Sequence, residues 1–178
     1  MTEPAIAIRR ACEDDIVSLV ALKLAAFRET FLEGFGIAYP PADLARFETE
    51  SYGPDRIAAE LADPAHATWV AQDTDGRLIA YAHAGPCKLP HMEASGGQGE
   101  LYQLYALNAA QGLGLGRALM DAALGWLEEE MPGPVWLGVW SGNERAQAFY
   151  AKQGFVKVGE YGFPVGDWTD HEYILRRG

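Results

Sequence analysis

The stretch ELYQLYALNAAQGLGLGRALMDAALGWLEEE, residues 100–130, predicts a strand, a glycine-rich turn and a helix in succession. Residues 101–107 are rich in large apolar side chains, as a buried strand requires. Leu115, Leu119, Ala122, Ala123 and Trp126 recur at helical spacing, and Pro132-Gly-Pro134 stops the helix. Between them lies Gln111-Gly-Leu-Gly-Leu-Gly-Arg117. Glycines there let the backbone approach a ligand closely. The first turn of a helix leaves amides without partners, and its dipole favours negative charge, so a phosphate or pyrophosphate fits. Arg117 opposes the dipole in that first turn and makes sense beside an anion.

Two common phosphate-binding patterns fail on this turn. In a GxGxxG fingerprint the third glycine would fall on Arg117 counting from Gly112, or on Leu119 counting from Gly114. A P-loop would need Gly-Lys-Ser/Thr after Gly112 at the position of Arg117. Taken alone, the turn also admits a reading as a glycine-rich helix start packed on a sheet.

Upstream, Ile6, Ile8 and Arg10 alternate as a short first strand. Asp14 or Asp15 offers a cap for a helix whose stripe is Ile16, Leu19, Val20, Lys23, Leu24, Phe27 and Phe31, broken at Gly34 and Gly36. Residues 43–50 and 56–61 predict short helices. Residues 68–72 and 78–84 predict a hairpin turning at 73–76, and 85–99 a loop or lid over a site. Downstream, 135–139 predicts a strand. Ser141 and Glu144 have capping-box spacing for a helix over 143–153, with Gly154 at its end. Residues 155–161 and 171–175 predict the last strands, joined around 164–170. The elements imply one α/β domain over residues 1–178 with about six or seven strands and about four helices.

The net charge is −11, which disfavours nucleic acid and anionic membranes as partners and favours cations such as amines. No apolar run approaches the roughly 20 residues of a membrane span and the N-terminus has no apolar core of a secretory signal, so a cytoplasmic location is expected. His66, His83, His91 and His171 lack metal-ligand spacing, and no metal is expected. Cys12 and Cys87 form no CxxC pair, and nothing beside Cys87 marks it as activated.

At this point the chain resembles the GNAT superfamily of N-acetyltransferases. Gln111-Gly-Leu-Gly-Leu-Gly116 is similar to its Q/R-x-x-G-x-G/A signature, preceded by the strand LYQLYAL. Asn143, the helix ending at Tyr150, and Gly154-Phe155 are similar to its second signature. Asn108 stands where the family often has proline, and Gly112 where it often has a basic or polar residue. The segments FRETFLEGFGIAYPPADL and AAELADP resemble the spermidine/spermine-type branch. The resemblance implies a central mixed, mostly antiparallel sheet splayed between strands 4 and 5. It also implies direct acetyl transfer from acetyl-CoA to a primary amine, a polyamine or another small cationic amine, by a chain that often dimerises. Backbone at Leu104, Tyr105 and Ala106 would meet the pantetheine arm, with an amide after a bulge polarising the thioester carbonyl. Gly112, Leu113, Gly114, Leu115, Gly116 and Arg117 would receive the pyrophosphate, and Asn143 would bond the arm while Ser141 caps the helix. Tyr150 would protonate the leaving thiolate. Glu100, placed with 102 and 104 on one strand face, is the expected base, and His83 is its rival. Glu33, Asp43 and Glu93 are the acidic residues expected to steer a cation. Two other readings stay open: a protein N-terminal or lysine acetyltransferase, and a degenerate acyl-CoA-binding module.

Overall fold

The computed structural model describes residues 6–178. Its elements are β1 (Ala7–Arg10), α1 (Ile16–Phe27), α2 (Pro41–Tyr52), α3 (Pro54–Ala62), β2 (Ala67–Gln72), β3 (Leu78–Pro86), β4 (Gly99–Ala106), α4 (Leu115–Glu130), β5 (Val135–Trp140), α5 (Glu144–Lys152), β6 (Val156–Val165) and β7 (Trp168–Arg177). The strands form one sheet in the order β1-β2-β3-β4-β5-β7-β6. Only β4 and β5 run parallel; every other neighbouring pair is antiparallel.

Alternation along β2 and β3 decides what covers each face. Ala67, Ala71, Ala80, Ala82 and Ala84 are buried with Leu119, Met120, Ala123 and Leu127 of α4; the small side chains let that helix sit close to the sheet. Val70, Leu78 and Tyr81 point the other way and pack with Leu19, Leu22 and Ala26 of α1 and Ile57 of α3. Lys23 belongs to the stripe of α1 because its Nζ is buried: it donates to Gln103 at 3.0 Å and lies 3.4 Å from Glu60. Asp15 does not cap α1. Its carboxylate accepts from Arg9 at 2.7 and 2.8 Å and from the Cys12 amide, and that pairing holds its pKa down at about 2.

After α1 the chain widens into a π-helical segment, Arg28–Gly34, which brings Phe31 and Phe35 over Trp140. The C-terminal strands are longer than expected. Residues 164–170 are mostly paired strand, with Val165 opposite Trp168 and the turn at Gly166, whose φ is +60°. That turn is pinned to α2: Asp43 Oδ1 accepts the Asp167 amide at 2.9 Å, and Arg46 meets Asp167 at 2.9 Å. The β6–β7 hairpin and the α1–α2 segment thus form facing walls.

Candidate active site

The β4–β5 ladder is short. Gly99 pairs with Val135 and Glu100 with Trp136, and beyond these the strands part. Backbone groups of β4 facing β5 past this point have no strand partner, so an amide-rich ligand can satisfy them. Leu104, Tyr105 and Ala106 lie on this half-buried edge. The gap opens into a cavity of about 1100 Å³ that runs from the glycine turn to the aromatic walls.

At one end, Gly112 (φ +84°) and Gly114 (φ +74°) are left-handed, a region that favours glycine. A Cβ at either position would meet no atom within 4 Å, so the space above the turn is open. The first helical bond runs from the Ala118 amide to the Gly114 carbonyl, leaving the amides of Leu115, Gly116 and Arg117 for a ligand. Leu113 is the exception among the turn residues: it is 57% exposed and does not line the cavity. Arg117 is not simply held for an anion, because its Nε already meets Asp121 at 2.9 and 3.1 Å. A basic residue missed in the sequence stands nearby: Arg145 donates to Gln111 at 2.7 Å. Its signal was the one noted for Arg117, a cation in the first turn of a helix where the dipole disfavours it.

Asn143, not Ser141, caps α5: its Oδ1 accepts the Ala146 amide at 3.0 Å. Its Nδ2 carries no protein hydrogen bond among the described residues and remains a donor towards the cavity it lines. Tyr150 lines the same cavity from α5, and its hydroxyl likewise has no protein partner among the described residues. Burial, with Glu172 nearby, pushes this phenol up and keeps it protonated.

Glu100 is 7% exposed and accepts the Lys88 amide at 2.7 Å. Burial raises its pKa, and Lys88 opposes the rise. The expected common face for 100, 102 and 104 is interrupted. His83 pairs with Gln103 and Ala84 with Leu101, so Tyr102 is an extra residue in a bulge. Beyond the bulge, Leu104 packs on the α4 side, while Gln103 and Tyr105 face α1 and the aromatic wall. His83 is unsuited as a base: it is 3% exposed, bonded to His66 at 2.9 Å, and burial holds its pKa well below the usual value. Cys87 is buried, and its thiol is pushed up to about 11.

Glu33, Asp43 and Glu93 do not line the cavity; Asp43 and Glu93 are tied to Arg46 and Arg176. Its acidic lining comes from Glu29, Glu50, Glu60, Glu100, Asp170 and Glu172. Asp170 accepts from Tyr39 at 2.6 Å and from Trp168 at 2.9 Å. Glu172, missed in the sequence, accepts from Tyr161 at 2.7 Å. Burial raises its pKa to about 7; Tyr161 lowers it, and Asp170 and Glu100 raise it further. Asp170, Glu172 and the buried Ile174 alternate, which was a usable sign that two carboxylates face inward.

A splayed sheet beside an amide-rich turn offers backbone donors and acceptors to an extended ligand. Residues 24–155 match the model of the acetyltransferase (GNAT) family. An uncharacterised N-acetyltransferase of Lactobacillus delbrueckii subsp. lactis is 28% identical over 97% of this chain and 96% of its own length. One from Mycobacterium bovis is 34% identical over 80% and 89%. The crystal structure of PaiA N-acetyltransferase from Thermoplasma acidophilum, in complex with coenzyme A, superposes with a TM-score of 0.75 at 18% identity, covering 97% of this chain and 98% of that one. The chain belongs to the GNAT family and is an acetyl-CoA-dependent N-acetyltransferase. No helix among the described residues is long and apolar enough to cross a membrane.

Proposed function

We propose that the chain transfers acetyl directly to the primary amine of a small cationic molecule, of which a polyamine is one example. The observation that carries this is the cavity wall away from the glycine turn. Tyr39, Phe47, Tyr52 and Trp140 surround it, and Asp170, Glu172 and Glu50 contribute carboxylates. Aromatic faces and carboxylates both attract an ammonium group, most strongly where water is reduced. Of the cations lining this half, Arg56 is paired with Glu60 at 2.7 Å, and Lys88 lies over the Tyr102 ring at 4.3 Å.

Acetyl-CoA supplies the activated thioester. In this reading the amides at 112–117, with Arg117 and Arg145 at the rim, hold the pyrophosphate, and the free edge at 104–106 orients the arm. The Asn143 amide group adds a donor. Alignment of the amine with the donor supplies much of the rate. Tyr150 donates a proton to the leaving sulfur. Glu100 and Glu172 are the carboxylates from which the base is drawn, since both line the cavity and burial raises the pKa of each.

A panel of polyamines, monoamines, amino acids, aminoglycosides and peptides, assayed with acetyl-CoA for released thiol, tests the reading. Cationic small amines are expected to give the highest kcat/KM. Preference for a peptide lysine or N-terminus, or for an anionic acceptor, would reject it. Coenzyme A binding without turnover on any acceptor would favour a degenerate module.

A further inference from the structure

We infer that Glu172, held by Tyr161 on the hairpin wall, takes the proton from the acceptor's ammonium group. This rests on the amine-transfer reading above and assigns the base within it.

The position follows from the sheet. Tyr161 and Glu172 are directly opposed across β6 and β7, and the tyrosine hydroxyl donates to Glu172 Oε2. Both lean across β5 at Gly138, where a Cβ would come within 2.6 Å of the Tyr161 hydroxyl and 2.9 Å of Glu172 Oε2. Gly138 lies just past Trp136, the last β5 residue paired with β4, so the carboxylate stands where the strands part. A bare glycine is needed at that place for the pair to fit.

Of the other carboxylates along the cavity, Glu50 is exposed to water and has no protein partner among the described residues, and the rest are more committed. Asp170 uses both oxygens. Glu60 is paired with Lys23 and Arg56. Glu29 accepts the Asn108 amide near the turn. Glu100 is sunk behind the Lys88 amide and the Cys87 thiol. Glu172 Oε1 has no protein hydrogen bond among the described residues, yet it is not enclosed away from the cavity. No lysine or arginine is paired with Glu172 among the described residues. The titratable groups that face it are Tyr161 on β6, Asp170 on its own strand, Glu100 and Tyr105 on β4, Tyr150 on α5, Tyr52 on α2 and Tyr39 before α2. These phenols stay protonated and the two acids disfavour its charge, so a pKa of about 7 narrows the gap to an ammonium donor.

The protons balance. The ammonium gives one proton to Glu172. The freed nitrogen pair forms the new bond to the acetyl carbon, and the carbon–sulfur pair leaves with sulfur, which takes the Tyr150 proton. The second nitrogen proton restores Tyr150, and Glu172 later releases its proton to water.

The test compares Glu172→Gln, Glu100→Gln and Tyr161→Phe in the full chain, over a range of pH, with the best amine from the panel. The wild type should lose kcat/KM as pH falls through about 7. Glu172→Gln should lower kcat/KM at pH 8 about 100-fold and abolish that limb, with coenzyme A affinity unchanged by calorimetry. Infrared or carbon NMR titration should show a carboxyl titrating near neutrality in the wild type that disappears in Glu172→Gln. Tyr161→Phe removes a donor to the ionised form, so the limb should move to higher pH while the reaction persists. A Glu172→Gln protein that binds coenzyme A and keeps the limb overturns the inference, as does loss of the limb only in Glu100→Gln. A wild type that binds coenzyme A but acetylates no amine overturns the amine-transfer reading and this assignment with it.

Discussion

Gly114 separates backbone strain from ligand electrostatics. It sits at the N-terminus of α4 with φ +74°, and a Cβ there would touch nothing within 4 Å. Gly114→Ala therefore adds no clash, only left-handed strain of about 1–2 kcal/mol. That strain is present with and without ligand. It should lower the Tm by roughly 2–8 °C and leave coenzyme A affinity within about two-fold. Gly114→Asp adds a charge in the same space. Aspartate tolerates the left-handed region better than alanine, and a carboxylate at a helix N-terminus is favourable by about 0.3–1 kcal/mol, so stability should stay nearer the wild type. Binding should suffer instead. A carboxylate about 5 Å from each of two phosphate charges, at the high dielectric of an exposed turn, costs about 2–3 kcal/mol together, or roughly 30–150-fold in Kd. Calorimetry with coenzyme A at low and high salt measures it, and the Asp deficit should shrink with salt while the Ala result stays flat. A folded Gly114→Asp protein with unchanged affinity would refute the pyrophosphate assignment. Equal losses for Ala and Asp would replace the electrostatic account with a steric one.

Tyr150→Phe should reduce kcat at least about 100-fold with coenzyme A affinity retained, as steady-state kinetics and calorimetry would show; near-normal kcat would remove the acid role. Cys87→Ala should keep most activity, because the thiol is buried and pushed up to about 11; a trapped acetyl-enzyme on Cys87 by intact mass would contradict direct transfer. Spermidine should lose kcat/KM with rising salt more steeply than a neutral-tailed monoamine, chiefly through KM; equal slopes would reject steering by the acidic lining. Glu172 also links activity to stability. Its folded pKa is raised from 4.5 to about 7, so its contribution is fully present below pH 4.5 and is lost as pH rises through 7. Denaturant unfolding should show the wild type losing up to about 3 kcal/mol of stability from this group between pH 4.5 and 8, and Glu172→Gln should flatten that part of the decline; identical pH slopes would show that the carboxyl is not perturbed in this way.

The glycine turn and the helix that follows Asn143 were legible in the sequence because contiguous residues build them. Two glycines at left-handed dihedrals, the free amides of a first helical turn and a helix reaching Tyr150 are consequences of local order. The aromatic and acidic half of the cavity was not legible, since its groups meet across long separations in the chain. Tyr39 reaches Asp170 over 131 positions and Lys23 reaches Gln103 over 80. One extra residue at Tyr102 turns the rest of β4 over, which no count along the strand reveals, because the bulge exists only in register with β3. The pairing of β6 with β7 sets Glu172 beside Tyr161, and the missing side chain of Gly138 on β5 leaves room for both. Local dihedrals and periodicity are encoded in neighbouring residues; the environment that decides a carboxylate's charge and reach is supplied by strands that only the folded sheet brings together.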